Sequence, residues 1–150
     1  MGEGVRVIYI EPSCLVKVLR PEQESPVVVE AIGRETSVVV SVLAELETLV
    51  QLKAFYLAGD YTRPRWRQLE AQLAGFRNQP PYEFRTLSAA LFQTALRQHR
   101  NAGAVHCRSL DRLHLAAMEE LKVTRLMTHD DRQAKAALAA GFEVVRPGRD

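Results

Sequence analysis

The stretch Val5-Arg-Val-Ile-Tyr-Ile-Glu-Pro-Ser-Cys-Leu-Val-Lys-Val-Leu19 decides the fold. Val5 to Ile10 is a short, mostly apolar run rich in β-branched side chains, the pattern of a buried strand. Ser13 to Leu19 then reads as a helix. Pro12 is allowed at its first position, because proline lacks only an N–H that the helix would leave unpaired. One acid, Glu11, stands at the junction. A buried strand running directly into a helix starts an α/β unit, and the chain beyond repeats the pattern.

Pro21 ends the first helix, and Ser25-Pro26 opens a second that runs toward Gly33. Ser37 to Ser41 is the next strand candidate. A long helix follows from about Val42 to Leu57, with an apolar stripe of Val42, Leu43, Leu46, Leu49, Val50 and Leu57. Trp66 to Phe76 is an amphipathic helix, broken by Asn78 and Pro80-Pro81. Ser88 opens a helix to about Arg100, and Ser109 can cap another from Leu110 to Leu121. Arg125 to Thr128 is a short strand, Asp130 or Asp131 starts a helix ending near Gly141, and Glu143 to Val145 is a last strand. Strands alternating with helices imply an α/β domain with a mostly parallel sheet covered on both faces. Ala58 to Pro81 departs from the alternation and reads as a helical insertion, too short for a second domain in a chain of 150 residues.

With 47% hydrophobic and 25% charged residues, the chain can build a real core. No apolar run approaches the roughly 20 residues of a membrane-spanning helix. The start, Met1-Gly-Glu-Gly, lacks the basic stretch and apolar region of a secretory signal, so the expectation is a cytoplasmic protein. A net charge of +2 neither demands nor excludes a nucleic-acid partner. Arg63, Arg65, Arg67 and Arg77 cluster around Trp66, and Arg97, Arg100, Arg108 and Arg112 form a second group. Each group suits either phosphate contacts or a solvated helix face. Cys14 and Cys107 read as thiols rather than a disulfide. His106, Cys107 and His114 lack the paired spacing of a zinc site.

The carboxylates carry the chemistry. Glu11 follows the first strand, and Asp130 and Asp131 follow the strand ending at Thr128. Ligands of open α/β sheets bind beyond the carboxyl ends of strands. Asp111 lies in the first turn of its helix, where capping alone would also explain an acid. Glu45 and Glu47 fall on opposite edges of the apolar stripe of the long helix, and periodicity does not choose between them. Lys53 falls within the stripe itself. Four segments thus each bring an acid to an element end or a core edge. A nucleotide-binding domain is disfavoured, since no glycine-rich loop follows the first strand.

These residues resemble the PIN domain family. Tyr9-Ile-Glu-Pro-Ser-Cys-Leu-Val-Lys17 resembles its opening strand and turn, with Glu11 and Pro12 where the family usually has Asp and Thr. Ser41-Val-Leu-Ala-Glu-Leu46 resembles its second motif, with Glu45 as the acid. Leu110-Asp-Arg-Leu-His-Leu-Ala116 and Leu126-Met-Thr-His-Asp-Asp-Arg132 are similar to the third and fourth, with Asp111 and Asp130. The nearest group in size is the VapC-type toxins of toxin–antitoxin pairs.

The resemblance implies a three-layer α/β/α domain and a metal-dependent endoribonuclease. Its catalytic acids would be Glu11, Glu45, Asp111 and Asp130, with Asp131 sharing or replacing the role of Asp130 on the metal. Ser13 and Thr128 would support the site or cap locally. Arg108, Arg112 and Arg132 would contact RNA. The implied cofactor is Mg²⁺ or Mn²⁺, hard cations that take oxygen ligands. The implied partners are RNA, an antitoxin and a second copy of the chain. Glu11 lengthens the first acid by one methylene, and Mg²⁺ demands near-ideal octahedral geometry. That leaves a second reading open: a PIN-like module that binds RNA or a protein without cutting.

Overall fold

A computed structural model describes residues 4–149; the reading of Met1-Gly-Glu-Gly rests mostly on residues outside that range. Five strands form one sheet: β1 (Val7–Ile10), β2 (Ser37–Ser41), β3 (Tyr82–Arg85), β4 (Arg125–Met127) and β5 (Glu143–Val145). Their order is β3-β2-β1-β4-β5, and every pairing is parallel. The helices are α1 (Pro12–Leu19), α2 (Ser25–Gly33), α3 (Val42–Leu57), α4 (Arg63–Gly75), α5 (Leu91–Asn101), α6 (Ser109–Leu121) and α7 (Asp131–Ala139).

Strand side chains alternate between faces, so each strand feeds two cores. Ile8, Ile10, Val38, Val40 and Met127 pack with α1, α2, α3 and α4 through Leu15, Val28, Leu52 and Leu69. Tyr9, Val39 and Leu126 pack on the other face with Leu91 of α5, Leu115 and Met118 of α6 and Ala137 of α7. The three-layer expectation is met, and the sheet is wholly parallel.

The order reverses beside β1. The chain winds outward through β2 and β3, then returns to add β4 and β5 on the other side. Such a reversal leaves a crevice at the carboxyl ends of the two strands that flank it, here β1 and β4.

Three expectations need correction. The segment beyond Pro81 forms strand β3 at the sheet edge, which the sequence reading passes over. Its Tyr82 and Phe84 join the core, while Glu83 and Arg85 are exposed. The helix expected from Ser88 starts at Leu91, because Ser88 is used otherwise: its N–H and hydroxyl both donate to the Glu120 carboxylate. Most important, the apolar stripe of α3 largely faces outward. Val42, Leu46, Val50 and Leu57 are exposed, whereas Ala44, Thr48 and Leu52 are buried.

The first basic cluster is structural around its aromatic centre. Trp66 is buried and stacked on Tyr56, with ring centroids 4.6 Å apart. Cys14 is a buried thiol and Cys107 is half-buried, with no disulfide between them.

Candidate active site

Three of the four expected acids meet at the crevice. Glu11 leaves β1 with its N–H bonded to the Met127 carbonyl of β4 at 3.0 Å, which ties the two strand ends together. Its side chain folds back to cap α1, accepting from the Ser13 N–H at 3.1 Å. The same oxygen, Oε2, accepts from the Ser13 hydroxyl and from Thr128 Oγ1, the latter at 2.7 Å. Burial pushes the Glu11 carboxyl above its ordinary value, opposed by the hydrogen bonds from Ser13 and Thr128.

Ser13 and Thr128 also shape the loop beyond β4. Ser13 Oγ accepts from the His129 N–H at 2.8 Å, and Thr128 Oγ1 from the Asp130 N–H at 3.0 Å. Asp130 caps α7 by accepting from the Gln133 N–H at 3.0 Å. Behind the loop, Lys17 Nζ donates to His129 Nδ1 at 2.6 Å, and His129 Nε2 donates to the Pro147 carbonyl at 2.6 Å. Arg149 Nη1 donates to the His129 carbonyl at 2.8 Å while its guanidinium pairs with Glu24.

Asp111, in the first turn of α6, is buried. It accepts from the Arg108 N–H at 3.2 Å and from Arg108 Nε at 3.1 Å. Arg108 Nη2 also donates to Asp130 Oδ2 at 3.2 Å, so one guanidinium spans two of the acids.

The fourth acid at the crevice is Glu47. A cavity of about 520 Å³ is lined by Glu11, Ser13, Glu47, Arg108, Asp111 and Asp130. Glu47 Oε1 lies 2.6 Å from His114 Nε2. Glu45 is elsewhere: both of its oxygens accept from Arg77, at 2.7 and 2.9 Å. Two positions on a helix differ by about 200°, so when Glu47 faces the cleft, Glu45 points away from it. One signal in the sequence marked the true orientation. Lys53 lies within the apolar stripe, and a stripe that carries a lysine is the face turned to solvent.

The remaining candidates divide. The Asp131 side chain is exposed and paired with Arg146, outside the cavity lining. Arg132 is exposed on the first turn of α7. Arg112 donates to Gln98 at 3.3 Å and lines the groove between α5 and α6 rather than the acidic cavity.

The donor set suits a hard divalent cation, since Glu11, Glu47, Asp111 and Asp130 offer oxygen alone. Among the described residues no three acids, histidines or cysteines already surround one ligand position. Arg108 lies between Asp111 and Asp130, and its side chain is 54% exposed. A cation held by Asp111 and Asp130 would have to take the place of that guanidinium.

A PIN domain family model matches residues 8–138. Ribonuclease VapC35 of Mycobacterium tuberculosis is 31% identical over 149 residues, covering 95% of this chain and 98% of the relative. Among solved structures, the sarcin-ricin loop cleaving toxin VapC20 of M. tuberculosis superposes with a TM-score of 0.70 at 17% identity, covering 93% of this chain and 99% of that one. FitAcB from Neisseria gonorrhoeae gives 0.66 at 13% identity, over 93% and 97%. The two superpositions speak for the fold; the family match and the full-length identity carry the assignment. This chain belongs to the PIN domain family and to its VapC-type ribonucleases.

Proposed function

We propose that this chain is a metal-dependent endoribonuclease, the toxin of a toxin–antitoxin pair, acting on RNA in the cytoplasm. The observation that carries the reading is the convergence of Glu11, Glu47, Asp111 and Asp130 on one cavity at the strand-order reversal. These four would hold Mg²⁺ or Mn²⁺, with Glu47 in the role that the family resemblance implied for Glu45. When bound, the cation supplies Lewis acidity, neutralising charge on the scissile phosphate and making water a better nucleophile. Ser13 and Thr128 orient the Glu11 carboxylate and hold the Asp130 loop. Arg108, released from its two acids, is a phosphate contact at the cavity rim, and Arg132 extends the basic surface beside α7. Nothing favours the non-cleaving alternative, since Glu11 still lines the cavity.

An antitoxin is the expected protein partner, and the chain is expected to pair with a second copy. The exposed apolar residues of α3 support a protein interface: Val42, Leu46, Val50 and Leu57 fall within roughly 80° of the helix circumference. No helix among the described residues is long and apolar enough to cross a membrane.

The test is cleavage of a mixed structured-RNA pool by purified protein with Mn²⁺, with Mg²⁺ and with EDTA, beside Asp111→Asn. Cleavage that needs both the metal and Asp111 is expected. Equal cleavage in EDTA, or by folded Asp111→Asn, would overturn the reading.

A further inference from the structure

Behind Glu47 runs a line of buried polar groups that do not touch the cavity. Ser41 ends β2, Tyr9 lies in β1 and His114 lies midway along α6; none is more than 1% exposed. Ser41 Oγ is 2.6 Å from the Tyr9 hydroxyl, which is 2.6 Å from His114 Nδ1. The Tyr9 and His114 rings meet edge to face, with centroids 5.7 Å apart. His114 Nε2 then reaches Glu47 Oε1 at 2.6 Å. Unpaired polar groups are costly in so dry a place, so the hydrogens must be accounted for.

Donors and acceptors give the line a direction. An ionised carboxylate only accepts, so Nε2 carries hydrogen and donates to Glu47. Ser41 Oγ already accepts from the Ala44 N–H at 3.0 Å as the cap of α3. If Nδ1 also carried hydrogen, Tyr9 would have to donate to Ser41, leaving the Ser41 hydrogen with no acceptor in the line. With Nδ1 bare, Ser41 donates to Tyr9, Tyr9 to His114, and His114 to Glu47, and each hydrogen has its acceptor. Burial pushes the Tyr9 phenol far above its ordinary value, which keeps the donated proton in place.

We propose that His114, held in its Nε2–H form by Tyr9 and Ser41, is a positioning residue that fixes the Glu47 carboxylate and leaves its second oxygen free for the cation. A glutamate side chain has three soft torsions and loses much freedom when one oxygen must meet a metal. Here one oxygen is already anchored to a rigid core group, so little order remains to be imposed when the cation arrives. The proposal rests on the metal-dependent reading above.

The experiment titrates Mn²⁺ into metal-stripped wild type, His114→Leu, His114→Gln and Tyr9→Phe by calorimetry. Thermal melts establish that each is folded, and two-bond ¹H–¹⁵N spectra of the imidazole report its tautomer. The wild type is expected to give the Nε2–H pattern. His114→Leu should weaken Mn²⁺ binding roughly 10- to 100-fold, the usual cost of losing an outer partner of a ligand. His114→Gln, whose amide can donate from near the Nε2 position, should recover part of that loss. If His114→Leu does not melt cooperatively, Tyr9→Phe carries the test, since it removes a single oxygen and should weaken binding in the same direction. Wild-type affinity in folded His114→Leu or Tyr9→Phe, or an Nδ1–H ring in the wild type, would overturn the proposal. Failure of the wild type to bind Mn²⁺ would overturn the metal reading and the positioning role with it, even if the Nε2–H signal were present.

Discussion

Glu45→Gln and Glu47→Gln, two residues apart on α3, should behave as opposites. Glu45 pairs bidentately with Arg77, whose side chain is 47% exposed. Exposed pairs of good geometry contribute about 0.5–1 kcal/mol. In a domain of this size, 1 kcal/mol moves the melting temperature by roughly 2–4 °C. Glu45→Gln should therefore lower Tm by about 1–4 °C and leave Mn²⁺ affinity and RNA cleavage unchanged. Glu47→Gln keeps an oxygen to accept from His114, so its fold should hold. It removes one of four negative charges from the cavity. Losing an outer partner of a ligand costs up to about 100-fold in metal affinity, and losing the ligand itself should cost at least that. This corresponds to about 2.8 kcal/mol. Calorimetric Mn²⁺ titration and single-turnover RNA cleavage on both variants make the comparison. Lost binding in Glu45→Gln, with Glu47→Gln intact, would refute the placement of α3 and the metal assignment built on it.

Further outcomes follow from other parts of the molecule. Glu11 has a folded-state pKa above its ordinary 4.5, so the folded protein holds that proton more tightly than the unfolded chain. Its stabilising contribution is complete below about pH 4.5 and is lost as pH rises through the folded value. In EDTA, Glu11→Gln should therefore melt higher than wild type at neutral pH, and the gap should close on acidification; a gap that widens toward low pH would contradict this. At the opposite end of the sheet, the Glu35 carboxylate is 2% exposed and accepts from Arg6 at 3.2 Å and from Arg125 at 2.6 Å. Glu35→Ala leaves Arg125 only its longer contacts, to Glu143 at 3.6 Å and to the Val7 carbonyl at 3.4 Å, and should cost about 3 kcal/mol by denaturant melt, with cleavage unchanged below the transition. Val50→Asp places a charge in the exposed stripe of α3 and, if that stripe holds the proposed dimer, should yield monomers in sedimentation experiments, without loss of Mn²⁺ binding.

Much of the site was legible because strand ends are legible. Val7–Ile10 and Arg125–Met127 are short apolar runs, and whatever follows them must emerge at the crevice. Glu11 and Asp130 were placed at the crevice that way, Thr128 by the family resemblance, and Asp111 by the resemblance together with its place in the first turn of α6. Glu47 stood beside Glu45 on the other edge of the stripe and was passed over because the second-motif resemblance favoured Glu45; the stripe gave no correction, since it ordinarily marks the buried face of a helix. In α3 the buried face is built from the small or polar Ala44 and Thr48 with Leu52, and the larger apolar residues face out. Strand β3 escaped because four residues, two of them charged, make too short an alternation to stand out after a proline pair. The line from Ser41 to Glu47 joins residues up to 105 positions apart, which no local pattern reveals.

The bond from Thr128 to Glu11 spans 117 positions. Contacts so distant in sequence form late, since most of the chain must be ordered before they close. A chain still on the ribosome, made from its amino terminus, holds Glu11 long before it holds Thr128 and Asp130. Until then it has no cavity with which to cleave RNA. The same topology ties the nuclease to global folding: cleavage should vanish at the denaturant concentration where the helices melt, with no active fragment surviving partial unfolding or proteolysis.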